Sequence, residues 1–311
     1  MTTRIADSII FASATRGAQL QRSALNALQN QVVTGKRLNS VSDDPRGAAR
    51  VLSLKSTLER IDQFERNIGL GKATLETTES ALNDLGDVLI RVRELAVSAD
   101  VEEEQFDLIA AEVEQRFSQI LGIANTRVGD RFVFGGFVTD SAPVTQTGQF
   151  GDPAPIVAYN GDSGQIFVQA DESSQVQLNV TARELFFGST DGDDLADGPR
   201  VNIFDVVQDL VNRLRDPDTN GAPVEVLDEL DAAIQQTSET LGSVGARANR
   251  LDSTVQQLQA LRVVAEQERS FVEDADLIEV LTELQTRETA LQATLAVSAR
   301  ILQPSLLDFL G

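Results

Sequence analysis

The chain has 311 residues, a formal net charge of −22 and only 5% aromatic residues, with no Trp and one Tyr. It contains neither Cys nor His, which excludes disulfides, thiol catalysis, a Ser-His-Asp hydrolase and the usual zinc sites. Net acidity of this size opposes nucleic acid and anionic lipid as partners, since both require clustered cations. No run reaches the roughly 18 apolar residues of a membrane helix, and no cleavable leader is visible, so a soluble chain is expected. The charge is uneven. Residues 1–40 carry Arg4, Arg16, Arg22, Lys36 and Arg37 against Asp7, whereas over 140–235 acids far outnumber the four arginines.

A first helix is predicted over 4–34, where Leu25, Leu28 and Val32 recur at three- and four-residue spacing. Gly35 suits a left-handed C-terminal position. After a polar loop, Ser42-Asp43-Asp44-Pro45 restarts a helix, an Asp capping free N–H groups and Pro45 taking the first helical position. This second helix carries Val51, Leu54, Leu58, Ile61, Ile68, Leu75, Leu82, Leu85, Leu89 and Val92 on one stripe. About 50 residues at 1.5 Å each would extend roughly 75 Å, and such a rod needs lateral partners. A third helix is predicted over about 103–128, with Glu102, Glu103 and Glu104 at its favourable N-terminal end.

Beyond Gly129 the period changes. Residues 131–138 read as a strand, 156–159 and 165–168 as a hairpin around Asn160-Gly161, and Val176, Leu178 and Val180 as a further strand. Helices resume over 202–215 and again from Val224 to about Phe271. A short break at 272–276 precedes a final stripe over 277–301 (Leu277, Leu281, Leu284, Leu291 and Leu295) that Pro304 is expected to end.

Two minor features have bland and sharp readings. Asp191, Asp193, Asp194 and Asp197 sit in a Gly-containing loop, but their spacing does not fit a calcium loop, and a solvated acidic loop is the preferred reading. Gly242 and Gly245 interrupt a long helix, either permitting close helix approach or simply lying on its surface. No pair of carboxylates stands out as catalytic among the 48 acids, and neither cofactor nor metal is expected.

The predicted fold is mainly α with a small inserted β domain: an elongated, antiparallel long-helix bundle with a terminal coiled coil. Residues 1–44 with 272–311 would form the terminal coiled coil, 45–138 with 200–271 the long-helix bundle, and 139–199 the acidic β insert. Apolar stripes at both ends cannot stay folded alone in water, so the ends should pair with each other and then with neighbouring subunits. The candidate assembly residues are Ile5, Ile9, Leu25, Leu28, Val32, Leu277, Leu281, Leu284, Leu291, Leu295, Leu306, Leu307 and Phe309. In the free chain both ends are expected to be incompletely ordered.

The turn Thr34-Gly35-Lys36-Arg37-Leu38-Asn39, leading into Asp43-Asp44-Pro45, resembles the signature after the first helix of the bacterial flagellin family. Val244 to Leu251, Asp274-Ala275-Asp276, Ala290 to Ala293 and Ser305 to Leu310 are similar to that family's C-terminal helices. Gly129 to Pro143, followed by Tyr159 to Gly164, is similar to the hook-associated protein 3 branch, the hook–filament junction proteins. The resemblance covers roughly 1–165 and 240–311, and it singles out Gly35, Lys36, Arg37, Asn39, Asp43, Asp44 and Pro45 as the family turn. It implies a secreted structural protein at the hook–filament junction of the flagellum, with flagellin itself as the alternative. It further implies type III export on an N-terminal signal, and ring assembly with copies of itself. Its neighbours would be hook-associated protein 1 and flagellin, with an export chaperone held earlier on the C-terminal helices.

Overall fold

The structure is a computed structural model that describes residues 2–99, 105–152, 154–189, 196–217 and 221–310, with side chains described between residues 12 and 297. Helices dominate: α1 (Thr2–Thr34), α2 (Pro45–Ala99), α3 (Phe106–Ala124), the single turn α4 (Ala182–Leu185), α5 (Ile203–Arg215), α6 (Leu227–Glu273) and α7 (Leu277–Leu310). Contacts divide the chain into a terminal unit, Met1–Ile61 with Ala260–Gly311, and a central unit, Asp62–Gln259. These boundaries fall inside α2 and α6.

In the central unit, α2 and α6 run antiparallel. Lys72 Nζ meets Asp252 Oδ1 at 2.7 Å, and farther along Arg93 pairs with Asp231. The predicted α2 stripe is buried from Val51 to Val92; α3 buries Ile109, Val113, Phe117, Ile120 and Ala124, and α5 buries Ile203, Val206, Val207, Leu210 and Leu214. On α6 the inward positions are more polar than an apolar stripe suggests: Leu230, Ala233, Gln236, Thr237, Thr240 and Val244 are buried, while Leu261 is exposed. Thr237 and Thr240 are tolerated there because each hydroxyl donates to the carbonyl four residues back, at 2.9 and 2.8 Å.

The β region departs most from expectation. Its strands form three separate antiparallel ladders among the described residues: β1 (Arg127–Val128) with β2 (Arg131–Phe132), β3 (Val144–Gln146) with β4 (Val157–Tyr159), and β5 (Phe167–Gln169) with β6 (Gln175–Gln177). The hairpin around Asn160-Gly161 does not form. Asp162 instead uses one carboxylate oxygen to accept from the N–H groups of Phe137 (2.7 Å) and Gly164 (2.8 Å), ending β4 and redirecting the chain. The strand read over 131–138 stops at Phe132, and Gly136 takes a positive φ of 71° in the turn that follows. Helix α3 ends at Ala124 rather than 128 because the Asn125 side chain is engaged in the fold. It donates to Leu121 O and Val144 O and accepts from Val144 N.

Ladders this short leave many buried backbone groups unpaired, and buried side-chain amides serve them. Gln208 accepts from Ile156 N and donates to Asp152 O and Ala154 O. Gln236 accepts from Val201 N at 3.1 Å and donates to Leu185 O at 2.6 Å. Gln236→Leu strands both groups in the interior, and urea unfolding is expected to show about 2–4 kcal/mol of destabilisation. An unchanged midpoint would mean that water replaces the amide. Below these contacts lies a cluster of rings: Phe204 touches Phe117, Phe186 and Phe187 with centroids 5.5, 5.6 and 5.8 Å away.

Two further expectations need correction, and one open reading is decided. Helix α7 continues past Pro304 to Leu310, since a proline removes one intrahelical bond without always stopping the helix. A 3₁₀ turn, Pro223–Val226, precedes α6, which then runs on to Glu273. A Cβ at Gly242 or Gly245 would meet nothing within 4 Å, so neither permits a close helix approach within this chain. Glu102, Glu103 and Glu104, and Asp191, Asp193 and Asp194 of the acidic loop, lie outside the described residues.

Candidate assembly surface at the paired termini

Helices α1 and α7 pack antiparallel in the terminal unit. At one end the backbones of Lys36 and Asp274 form an isolated antiparallel β-bridge; farther along, Arg287 Nη1 donates to Gln21 Oε1 at 3.4 Å, and Leu291 and Leu295 lie beside Thr15 and Ala18. The α1 face of this seam is Gln21, Ala24, Leu25, Leu28 and Val32, with Leu25 and Leu28 buried. The α7 face is Val280, Leu284, Arg287, Leu291 and Thr294, at the alternating four- and three-residue spacing of a coiled coil. Arg287 and Gln21 make a polar layer within it, a device that favours one register over its neighbours.

The predicted α7 stripe therefore splits. Leu284 and Leu291 are half-buried, whereas Leu277, Leu281 and Leu295 remain 46%, 51% and 53% exposed. Val280, absent from the predicted set, is the residue buried at this end. The side chains of Ile5, Ile9, Leu306, Leu307 and Phe309 lie outside those described. An α7 with one apolar row spent on α1 and another still facing water has an unpartnered face.

The turn read from Gly35 to Pro45 is a clamp between α1, α2 and the α6–α7 break. Gly35 holds a φ of 69° and its carbonyl accepts from Ala275 N at 3.0 Å. Asn39 Nδ2 donates to Lys36 O at 2.9 Å, while Asp43 accepts from the N–H groups of Asn39 and Ser40. Asp44 accepts from Gly47 N at 2.9 Å, capping α2 as expected, with Pro45 at its first position. Arg37 reaches across to Val272 O at 2.8 Å.

At the centre is Glu273, which sequence reasoning passed over. Its backbone carbonyl accepts from Arg37 N and Leu38 N. Its buried carboxylate receives Lys36 Nζ at 2.7 Å and Lys55 Nζ at 3.0 Å on one oxygen. Burial pushes the Glu273 carboxyl up, but the hydrogen bonds from Lys36 and Lys55 outweigh it and hold the group below its ordinary range. Helical spacing points only to Arg269, four residues back and 3.7 Å from the other carboxylate oxygen; the two lysines come from more than 200 positions earlier in the chain.

The pH dependence follows from that depression. A carboxylate with a lowered folded-state pKa adds stability above the unfolded-state value and loses it as pH falls through the folded-state one. The terminal unit is therefore expected to weaken by about 1 kcal/mol on acidification below the ordinary Glu range, the exposed lysines limiting the size. Glu273→Gln should flatten that part of the pH–stability curve. Identical acid profiles for the two proteins would remove Glu273 from the account.

The chain thus combines paired terminal helices, a Gly-Lys-Arg turn clamped to the C-terminal break and long antiparallel helices. Residues 5–139 match the family model for the bacterial flagellin N-terminal helical region, and residues 227–310 match that for the C-terminal helical region. The chain belongs to the bacterial flagellin family. Flagellar hook-associated protein 3 of Salmonella typhimurium is 24% identical over 310 residues, covering 94% of each chain. Flagellin of Bacillus subtilis is 26% identical over 289 residues, covering 89% of each. Flagellin of Salmonella paratyphi A is 34% identical over 162 residues, but this chain spans only 30% of that protein. Among solved structures, the flagellar junction protein FlgL from Legionella pneumophila has a TM-score of 0.59 at 19% identity, covering 72% of this chain and all of its own. A Vibrio parahaemolyticus chain described as a flagellar hook-associated protein reaches 0.64 at 21% identity, covering 74% and 99%. These structures share the fold of the flagellin-family chain described here, mainly helical with small antiparallel ladders.

Proposed function

We propose that this flagellin-family chain is a structural junction protein of the bacterial flagellum, joining hook to filament. The supporting observation is its end-to-end correspondence with hook-associated protein 3, 94% of each chain, against the partial match to the Salmonella paratyphi A flagellin. In this reading the chain works by packing rather than by chemistry. The α1–α7 pair presents its exposed apolar row to neighbouring copies in a ring. Hook-associated protein 1 lies on one side and flagellin on the other. Export through the flagellar type III apparatus, with a chaperone covering the C-terminal helices beforehand, keeps those rows from aggregating. The three-part division into terminal coiled coil, long-helix bundle and acidic insert belongs to the same proposal.

Deletion of the gene should leave cells with hooks but no filaments, with flagellin shed into the medium, and the intact gene should restore filaments. Filaments of normal length on the deleted strain would refute the junction role. A second reading, flagellin itself, draws on the 89% mutual coverage with the Bacillus subtilis protein. Purified chain that polymerises alone into long filaments would favour it. The free chain's terminal pair is proposed to be marginal, and rapid amide exchange at both ends in the monomer, slowing on assembly, is the corresponding result.

A further inference from the structure

We infer that Asn160 is a site of spontaneous self-modification: its side-chain amide is lost in a reaction with the backbone nitrogen of Gly161, leaving aspartate or isoaspartate at position 160. Asn160 and Gly161 follow β4 and are the one Asn-Gly pair of which both residues are described. Asn160 is exposed, and glycine brings no Cβ to shield its nitrogen. Asn160 N donates to Pro143 O at 2.8 Å, continuing the β3–β4 ladder by one pair. There the ladder ends. The Gly161 N–H donates to no group among the described residues, so the attacking nitrogen is available.

The other described asparagines lack this combination. Asn26, Asn30, Asn67, Asn83, Asn212 and Asn249 lie inside helices, where the N–H that follows is committed to the carbonyl four residues back. After Asn125 and Asn202, Thr126 N donates to Ile123 O and Ile203 N to Phe186 O. Asn179 is only 1% exposed. Asn39 gives the sharpest contrast. It is exposed and followed by a small residue, yet Ser40 N donates to the Asp43 carboxylate at 2.8 Å, which ties the attacking nitrogen down. Asn220, of the second Asn-Gly pair, lies outside the described residues.

Water is the only co-reactant the step needs. Gly161 N, losing its proton, bonds to Asn160 Cγ; the Cγ–Nδ2 bond breaks and Nδ2 leaves with that proton as ammonia, closing a cyclic imide. Thr145 Oγ1, which accepts from Nδ2 at 2.8 Å, is a hydroxyl that can turn to donate to the departing nitrogen. Water then opens the imide at either carbonyl. One opening restores the ordinary backbone and leaves a carboxylate; the other routes the backbone through the side chain and lengthens it by a carbon. The longer link finds no slack. A Cβ added at Gly161 would already lie 2.5 Å from Tyr159 Oη and 2.7 Å from Gly135 O. Just beyond, Asp162 N donates to Gly135 O at 3.1 Å, and the Asp162 carboxylate accepts from Phe137 N and Gly164 N. Isoaspartate at position 160 therefore pulls Asp162 away from these partners.

The test incubates the purified full-length chain in warm, neutral buffer made with heavy-oxygen water and follows each asparagine by peptide mass spectrometry. Asn160 should exchange its amide for a heavy-oxygen carboxylate at least about tenfold faster than Asn39, whose neighbour must first give up its hydrogen bond to Asp43. The urea-unfolded chain, in which both asparagines are free, is the control for the chemistry itself. An Asn160 that stays intact in the folded chain, or one that converts no faster than Asn39, would overturn the inference. Asn160→Gln, whose longer side chain closes a larger and less favourable ring, should abolish the product at this position. In aged wild-type chains that carry isoaspartate, amide exchange at Phe137 and Gly164 should quicken. In Asn160→Asp, which has the charge on an ordinary backbone, it should stay slow. Unchanged exchange in the isoaspartate-bearing chains would refute the release of Asp162.

Discussion

Replacing Phe204 by Ala is expected to cost the central unit about 3–5 kcal/mol, the range for removing a fully buried ring. Phe204 has no exposed surface and joins α5 to α3 through Phe117, and to the α4 region through Phe186 and Phe187. The three ladders share no sheet, so this ring cluster is a principal apolar tie between the β segments and the helices. Net stabilities of about 5–15 kcal/mol leave little room for such a loss. Equilibrium urea unfolding should show a markedly lower midpoint. A shift under about 1 kcal/mol would mean that the neighbouring phenylalanines collapse into the vacated space.

A second substitution should have the opposite profile, with little effect on the monomer and a large one on assembly. Leu281 is 51% exposed and lies off the Val280–Leu284–Leu291 row that meets α1. Leu281→Glu removes no buried contact, so the purified chain should unfold within about 0.5 kcal/mol of the wild type. If the outer row of α7 packs against neighbouring subunits, a charge there opposes their approach, and filaments should be lost from cells carrying the variant. Leu284→Glu is the useful contrast, because it should weaken the α1–α7 pair itself. Normal filaments with Leu281→Glu would exclude this row from the assembly interface.

The helical part of the fold was legible because its signals are local. The stripe of α2 is buried where three- and four-residue spacing placed it, and Gly35 and Asp44-Pro45 end one helix and start the next. The family turn was legible for the same reason. Beyond it, local pattern was a poorer guide. Asn160-Gly161 has a favourable hairpin sequence, yet β4 pairs with β3, because Asp162 finds backbone partners at Phe137 that no nearby residue announces.

The end of α1, the start of α2 and the apolar stripe of α2 follow from neighbours a few positions apart, and these were set by the order of residues alone. Which apolar row of α7 meets α1, why Gln236 and Thr237 are buried, and where Glu273 finds its two lysines were decided only when distant segments came together. Burial energy depends on what lies opposite a side chain, and buried polar groups must be paired one by one. Both conditions are properties of the assembled fold rather than of any short window of the chain.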